Sequence, residues 1–232
     1  RLDCGAVSLA LFPGSELDGG PATLYLQRTG GPPGEPLEWT ALLGPRSTSL
    51  LGRAARSADA RSGAVIAAGS WQGIDYRLTL RLAQGPSAWF WHLWLHNGTP
   101  LAQHVDLTYV QDLALAPYGA VRMNEYYVSQ YVDHAPLQHA ARGCMVASRQ
   151  NQPVDGRHPW SLIGSLRNGT SFATDALQFY GLAGRIGDAP PGLIGELPGR
   201  RLQHEHSMVV IRDAPLQLDP GRGVAAGFFG FY

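Results

Sequence analysis

Apolar and polar residues alternate with a period of two along much of this chain. The clearest run is Ile74–Leu82, where Ile74, Tyr76, Leu78, Leu80 and Leu82 alternate with Asp75, Arg77, Thr79 and Arg81. Successive side chains on a strand point to opposite faces, so this run predicts a strand with one buried and one solvated face. Residues 104–110 repeat the pattern, with Val105, Leu107 and Tyr109 inward. Residues 88–96 are almost unbroken apolar and aromatic, which predicts a strand covered on both faces. Asn97-Gly98 behind it predicts a turn. Further strands are predicted at 5–12, 22–28, 64–71, 125–132, 143–148, 160–166, 170–173, 206–212 and 224–231. Helical periodicity is weak, and its best candidate is the Ala/Arg-rich stretch 49–59. Two Pro/Gly-rich stretches, 30–36 (GGPPGEP) and 189–199 (APPGLIGELPG), can continue neither a helix nor a central strand. A dozen or so strands with little helix predict one all-β antiparallel sandwich spanning 1–232.

Composition narrows the function. The 18 Lys+Arg balance 18 Asp+Glu, so the chain lacks the basic excess of a nucleic-acid partner. Every one of those cations is Arg. With no Lys, Schiff-base chemistry on an amine side chain is excluded. Gly (29) and Pro (17) suit a protein rich in turns. No apolar run reaches the ~20 residues that span a bilayer. Two cysteines, Cys4 and Cys144, make no disulfide framework, and reduced thiols in a cytoplasmic protein are expected. The chain begins without Met or a signal-like segment and ends inside the apolar stretch 224–232, so it reads as one domain of a larger protein.

Three segments carry candidate chemistry. In NEYYVSQYVDH (124–134), a strand would place Glu125, Tyr127, Ser129, Tyr131 and Asp133 on one face and Tyr126, Val128, Gln130 and Val132 on the other. Aromatic rings beside amides and carboxylates suit a sugar, with its apolar C–H faces and hydroxyl rim. Tyr and β-branched residues also simply favour strands, so both readings stay open. The second segment runs Ser148-Arg149-Gln150-Asn151-Gln152 and then Gly156-Arg157-His158-Pro159-Trp160. It offers amides and an indole for a sugar, or else a rigid loop whose amides serve its own backbone. The third is His204-Glu205-His206, which lacks a nearby third ligand for zinc and reads as a polar strand start. Glu125, Asp112, Asp133 and Asp175 are carboxylates from which a glycosidase pair could come. Asn97-Gly98-Thr99 and Asn168-Gly169-Thr170 match the glycosylation sequon but read as turns. No nucleophile elbow, P-loop or dinucleotide fingerprint is present.

Taken together, NEYYVSQYVDH, SRQNQ, GRHPW, GSL, FATDALQFYG and LPGRRLQHEH resemble the large β-sandwich domain of the cellobiose phosphorylase and cyclic β-1,2-glucan synthase group, formerly glycosyltransferase family 36. The resemblance runs from about 73 to 232 and is less clear over 1–61. It implies an antiparallel β-supersandwich of the galactose-mutarotase-like type that precedes a C-terminal (α/α) barrel of the same polypeptide. In that family the barrel holds the catalytic carboxylate. The implied role is a non-catalytic, carbohydrate-binding accessory domain that needs no cofactor and shapes a site for a β-linked glucooligosaccharide. Its parent would be a glycoside phosphorylase or a glycosyltransferase, the latter membrane-associated. Glu125, Tyr127, Gln130, Tyr131, Asp133, Arg149, Gln150, Asn151, His158 and Trp160 are the expected saccharide-facing or barrel-facing residues. Two other roles stay open. One is a docking or homodimer-forming module. The other is an autonomous aldose epimerase, whose acid and base would come from His158, His204 and Glu205.

Overall fold

The computed structural model describes residues 2–12, 22–30, 37–44, 47, 49–53, 64–182, 189–202 and 206–232. In chain order the strands are β1 (Asp3–Cys4), β2 (Val7–Ser8), β3 (Thr23–Arg28), β4 (Trp39–Ala41), β5 (Leu50–Arg53), β6 (Val65–Trp71), β7 (Ile74–Leu82), β8 (Ala88–Asn97), β9 (Gln103–Asp112) and β10 (Ala116–Pro117). Two short helices follow, α1 (Tyr118–Met123) and α2 (Glu125–Ser129). Then come β11 (Val132–His139), β12 (Gly143–Gln150), β13 (Trp160–Ser165), β14 (Gly169–Asp175), α3 (Ala176–Tyr180), a 3-10 turn at Pro191–Leu193, β15 (Ser207–Asp213), β16 (Leu216–Leu218) and β17 (Gly223–Phe231).

Two hydrogen-bonded leaves make the sandwich. One leaf has the order β4-β3-β9-β15-β14, with β16 on β9. The other has the order β12-β13-β17-β8-β7-β6-β5, with β11 on β12. Among the described residues, all pairings within each leaf are antiparallel, and a single parallel bridge, Gly143 with Gly169, joins the leaves. Side chains are excluded there: a Cβ on Gly143 would lie 2.1 Å from the Gly169 carbonyl oxygen, and one on Gly169 would lie 2.4 Å from that of Cys144. The antiparallel all-β sandwich expected from the alternation is the observed architecture.

The main core lies between the leaves. Leu24, Leu26, Val105, Leu107, Val209 and Ile211 from one leaf meet Ile74, Leu78, Trp89, Leu93, Ile163 and Phe228 from the other. These are the inward sets of the period-two pattern, as read for β7 and β9. A polar chain crosses this core. The Trp89 and Trp91 indoles donate to the Tyr109 hydroxyl at 3.2 and 3.3 Å. Tyr109 donates to Gln111 Oε1 at 2.8 Å, and Gln111 donates to the Asp112 carbonyl. Partnered in this way, the buried hydroxyl is tolerated. A second apolar cluster forms on the outer face of the first leaf, where Tyr25, Val110, Met208 and Val210 pack under Phe179, Leu193 and Leu197.

Three expectations fail. Residues 125–132 are not a strand: Glu125–Ser129 is helical because the Asn124 side chain accepts from the Tyr127 amide at 3.0 Å and caps it. Residues 88–96 form a strand, but its outer face is bare, with His92 exposed and Trp94 50% exposed. The helix expected at 49–59 is strand over Leu50–Arg53, paired with β6, and its remainder lies outside the described residues. Both cysteines are free thiols, and burial pushes Cys144 up to about 11.

Candidate functional site

Register assembles part of the expected site. Asp133 on β11 lies opposite Arg149 on β12, and Arg149 lies opposite Trp160 on β13. Cross-strand partners share a face. A carboxylate, a guanidinium and an indole therefore stand in one row on the outer face, with Trp160 51% exposed. Arg201 completes the row's end: its Nη1 lies 3.6 Å from Asp133 Oδ1 and donates to the His134 carbonyl. Beside the row, the Asn151 amide donates to the Tyr131 carbonyl at 2.8 Å. The Tyr131 ring meets Tyr127 edge-on at 5.0 Å, with the two hydroxyls 3.3 Å apart, an arrangement that raises the Tyr131 pKa.

The helix explains this pairing. Tyr127 and Tyr131 are four residues apart, one turn of helix, rather than alternate positions of a strand. Glu125 is half-buried in the first turn of α2, and Gln130, its C-terminal cap, is exposed. His158 is exposed, with Nδ1 3.2 Å from the Gln150 carbonyl oxygen. An Asp-Gly turn presents it: Val154 and Arg157 bridge, and Asp155 and Gly156 both take positive φ (49° and 73°).

Gln150 serves the scaffold. It is fully buried; its amide donates to the Ala114 and Val128 carbonyls at 2.9 and 3.2 Å, and its oxygen accepts from the Gln152 amide. It ties α2 to β12 and does not reach the surface. His134 is buried likewise, with Nδ1 2.9 Å from Ser148 Oγ and Nε2 3.2 Å from Ser207 Oγ. Burial, with Arg201 adding to it against Asp133, pulls its pKa down to about 4.

Among the other carboxylates, Asp112 and Asp175 are fully buried. Burial pushes Asp112 up to about 7 against the amides of Phe12 and Leu11 that donate to it. Asp175 caps α3 through the Leu177 amide at 2.8 Å. Neither can form an open acid–base pair. His204 and Glu205 lie outside the described residues. Their neighbour His206 packs between Phe12 (4.6 Å) and Tyr126 (6.4 Å, edge-on). Arg201 is the row residue that strand-based reasoning missed, because it comes from a segment far along the chain. Asn97 is buried, donating to the Leu101 and Leu218 carbonyls, which makes its sequon a structural turn. Among the described residues, no group of three His, Cys, Asp or Glu side chains could hold a metal ion.

The fold and the row define the class first: an antiparallel all-β sandwich domain with a polar–aromatic row on one outer face. The chain belongs to the SOGP N-terminal domain family, whose model matches residues 1–230. It is 39% identical over 108 residues to the 1,2-beta-oligoglucan phosphorylase of Listeria innocua, a match covering 46% of this chain and 10% of that relative. Among solved structures it is similar to the polysaccharide lyase BACCELL_00875, at 8% identity over 91% of this chain and 25% of the lyase, with a TM-score of 0.48. It is also similar to the GH36 α-galactosidase AgaA of Geobacillus stearothermophilus, at 8% identity over 98% of this chain and 30% of that enzyme, with a TM-score of 0.35. Among the described residues, no helix is long and apolar enough to cross a membrane.

Proposed function

We propose that the chain is a non-catalytic accessory sandwich of the galactose-mutarotase-like type, serving an enzyme that processes β-linked glucooligosaccharides. It would contact the saccharide or shape its site beside a C-terminal (α/α) barrel of the same polypeptide. The observation that supports this best is the row Asp133–Arg149–Trp160, flanked by Arg201 and the Tyr127–Tyr131 pair. An exposed indole offers a platform for sugar C–H faces, and charged groups beside it offer partners for hydroxyls. The identity to a 1,2-beta-oligoglucan phosphorylase supports the choice of glucan. The test is calorimetric titration with sophorooligosaccharides and cellooligosaccharides, repeated on Trp160→Ala. Binding weakened by that substitution is expected. No heat up to tens of millimolar, with Trp160→Ala silent, overturns the reading.

The bare outer face of the second leaf favours a second reading, docking or self-association. Phe90, Trp94, Leu162 and Phe231 point away from the core and are exposed or half-buried. Exposed apolar patches of this kind mark contact surfaces. Sedimentation velocity separates the two: a monomer at all concentrations that binds sugar removes the docking role for the isolated chain.

A further inference from the structure

A second polar site lies on the other leaf, away from the row. Between the outer face of β3, β9, β14 and β15 and the segment around Leu193–Glu196 is a cleft of about 680 Å³. Its floor follows from register: Gln27 pairs with Asp106 across β3 and β9, and Ser171 pairs with Arg212 across β14 and β15. All four belong to the outward set, because their neighbours Leu26, Leu107 and Ile211 fill the core between the leaves.

The floor is partly unsatisfied. Gln27 is only 4% exposed; its Nε2 donates to the Leu193 carbonyl at 3.0 Å, yet its Oε1 has no partner. Asp106 Oδ1 and Ser171 Oγ are buried and equally unpartnered. Arg28 Nε, which also lines the cleft, is buried and unpartnered too. Native structures leave few buried polar atoms unpaired, and four around one cavity of this size point to a missing hydrogen-bonding ligand. Arg212 is 7% exposed and bonded at each of its three nitrogens: Nε donates to Thr108 Oγ1, and the two terminal nitrogens donate to the Gly195 and Gly192 carbonyls. It holds the cover down and leaves the unpaired atoms free for an occupant.

Charge selects the ligand class. The charges lining the cleft are largely met within the protein: Arg28 pairs with Glu38 at 2.7 Å, Arg167 pairs with Asp213 at 2.8 Å, and Arg212 stands against Asp106 and Glu196, which leaves little net charge to hold a cation. Asp106, Asp213, Glu38 and Glu196 line it too, which disfavours an anion. The unpaired atoms are two acceptors, a hydroxyl and the Arg28 Nε–H donor, and a ligand's hydroxyl groups can both donate and accept. Leu37, Leu193, Ile194 and Pro215 supply apolar wall.

We infer that this cleft binds a neutral polyhydroxylated ligand, a sugar unit held by Gln27 Oε1, Asp106 Oδ1 and Ser171 Oγ. That the sugar is β-linked glucose rests on the function proposed above; that the ligand is a neutral polyol does not. The test titrates the chain with sophorose, maltose and sorbitol by two-dimensional NMR, on wild type, Asp106→Asn, Ser171→Ala and Trp160→Ala. Asp106→Asn is expected to weaken binding at least about tenfold and Ser171→Ala about threefold, with Trp160→Ala leaving the cleft's shifts unchanged. Amide shifts should move at Gly30, Ile194 and Gly195. If maltose or sorbitol binds there while sophorose does not, the cleft stands and the β-glucan reading falls. If sophorose binding is lost only in Trp160→Ala, the cleft assignment is overturned and the β-glucan reading survives. Wild-type affinity in both cleft variants, or no shifts at the cleft with any probe, also overturns it.

Discussion

The two outer faces of the sandwich are built on the same antiparallel ladder and end differently. The first leaf is roofed: α3, the turn at Pro191–Leu193 and Leu197 bury Tyr25, Val110 and Met208 and hold polar groups in a cleft. The second leaf is bare, so Trp94 and Trp160 stand half in water. A roof turns outward-facing polar positions into buried ones, whose hydrogen bonds must then be found within the protein or from a ligand. A bare face leaves aromatics as contact area that contributes little to folding. The roofed face should therefore dominate stability, and the bare face should dominate association.

The strongest way to break this contrast is Arg212→Ala. It leaves three oxygens without their donor and should cost about 3–5 kcal/mol in urea unfolding. It should also open 189–199 to proteolysis. Trp160→Ala on the bare face should change stability by less than about 0.5 kcal/mol. Equal losses at both positions would contradict the comparison.

A second effect concerns His134, which joins the leaves by facing Ser148 of one and Ser207 of the other. Its folded pKa of about 4 lies below the ordinary value of about 6.5. Between those values the unfolded chain binds the proton and the folded chain does not, so this group's contribution is lost as pH falls from 6.5 through 4. The loss approaches about 3 kcal/mol. Asp112 runs the opposite way. Held up near 7, it keeps its proton in the fold while the unfolded chain ionises, so its contribution fades as pH rises from about 4 to about 7. Chemical denaturation across pH 4–7 should show the two offsetting each other in the wild type. Asp112→Asn should reveal the acid loss, and His134→Gln should reveal the opposite slope.

The smallest test is a matched pair. A Cβ on Gly230 would lie 2.0 Å from the Trp89 ring, and one on Gly223 would lie 2.0 Å from the Trp94 ring. Trp89 is 2% exposed and cannot move, whereas Trp94 can swing into solvent. Gly230→Ala should cost about 2 kcal/mol by overpacking, and Gly223→Ala less than about 1, in thermal unfolding.

The strands were legible in the sequence wherever polar residues marked the solvated positions, as at Ile74–Leu82. They were misread where composition hid the roof. The run at 88–96 looked doubly covered because an apolar side chain carries no sign of whether another element sits on it. At 125–129, Tyr and Val favoured a strand, but one capping amide from Asn124 and the burial of Val128 and Ser129 decided for a helix. That helix sets Tyr127 edge-on against Tyr131. Asp133, Arg149 and Trp160 were named from their segments, but the row they form depends on the register of three strands. The cleft was not legible, since Gln27, Asp106, Ser171 and Arg212 are far apart in sequence and ordinary in pattern.

Tyr109 makes the interior optically distinct from the surface. Burial holds its phenol un-ionised beyond the usual range, so alkali that turns surface tyrosines into phenolates leaves this one transparent at the phenolate wavelength. Of the two indoles bonded to it, Trp89 is 2% exposed and should emit from a dry environment, while Trp94 and Trp160 should emit from a wet one that a dissolved quencher can reach. A dissolved quencher should therefore dim Trp94 and Trp160 and spare Trp89, so that light reports the uncovered side apart from the interior.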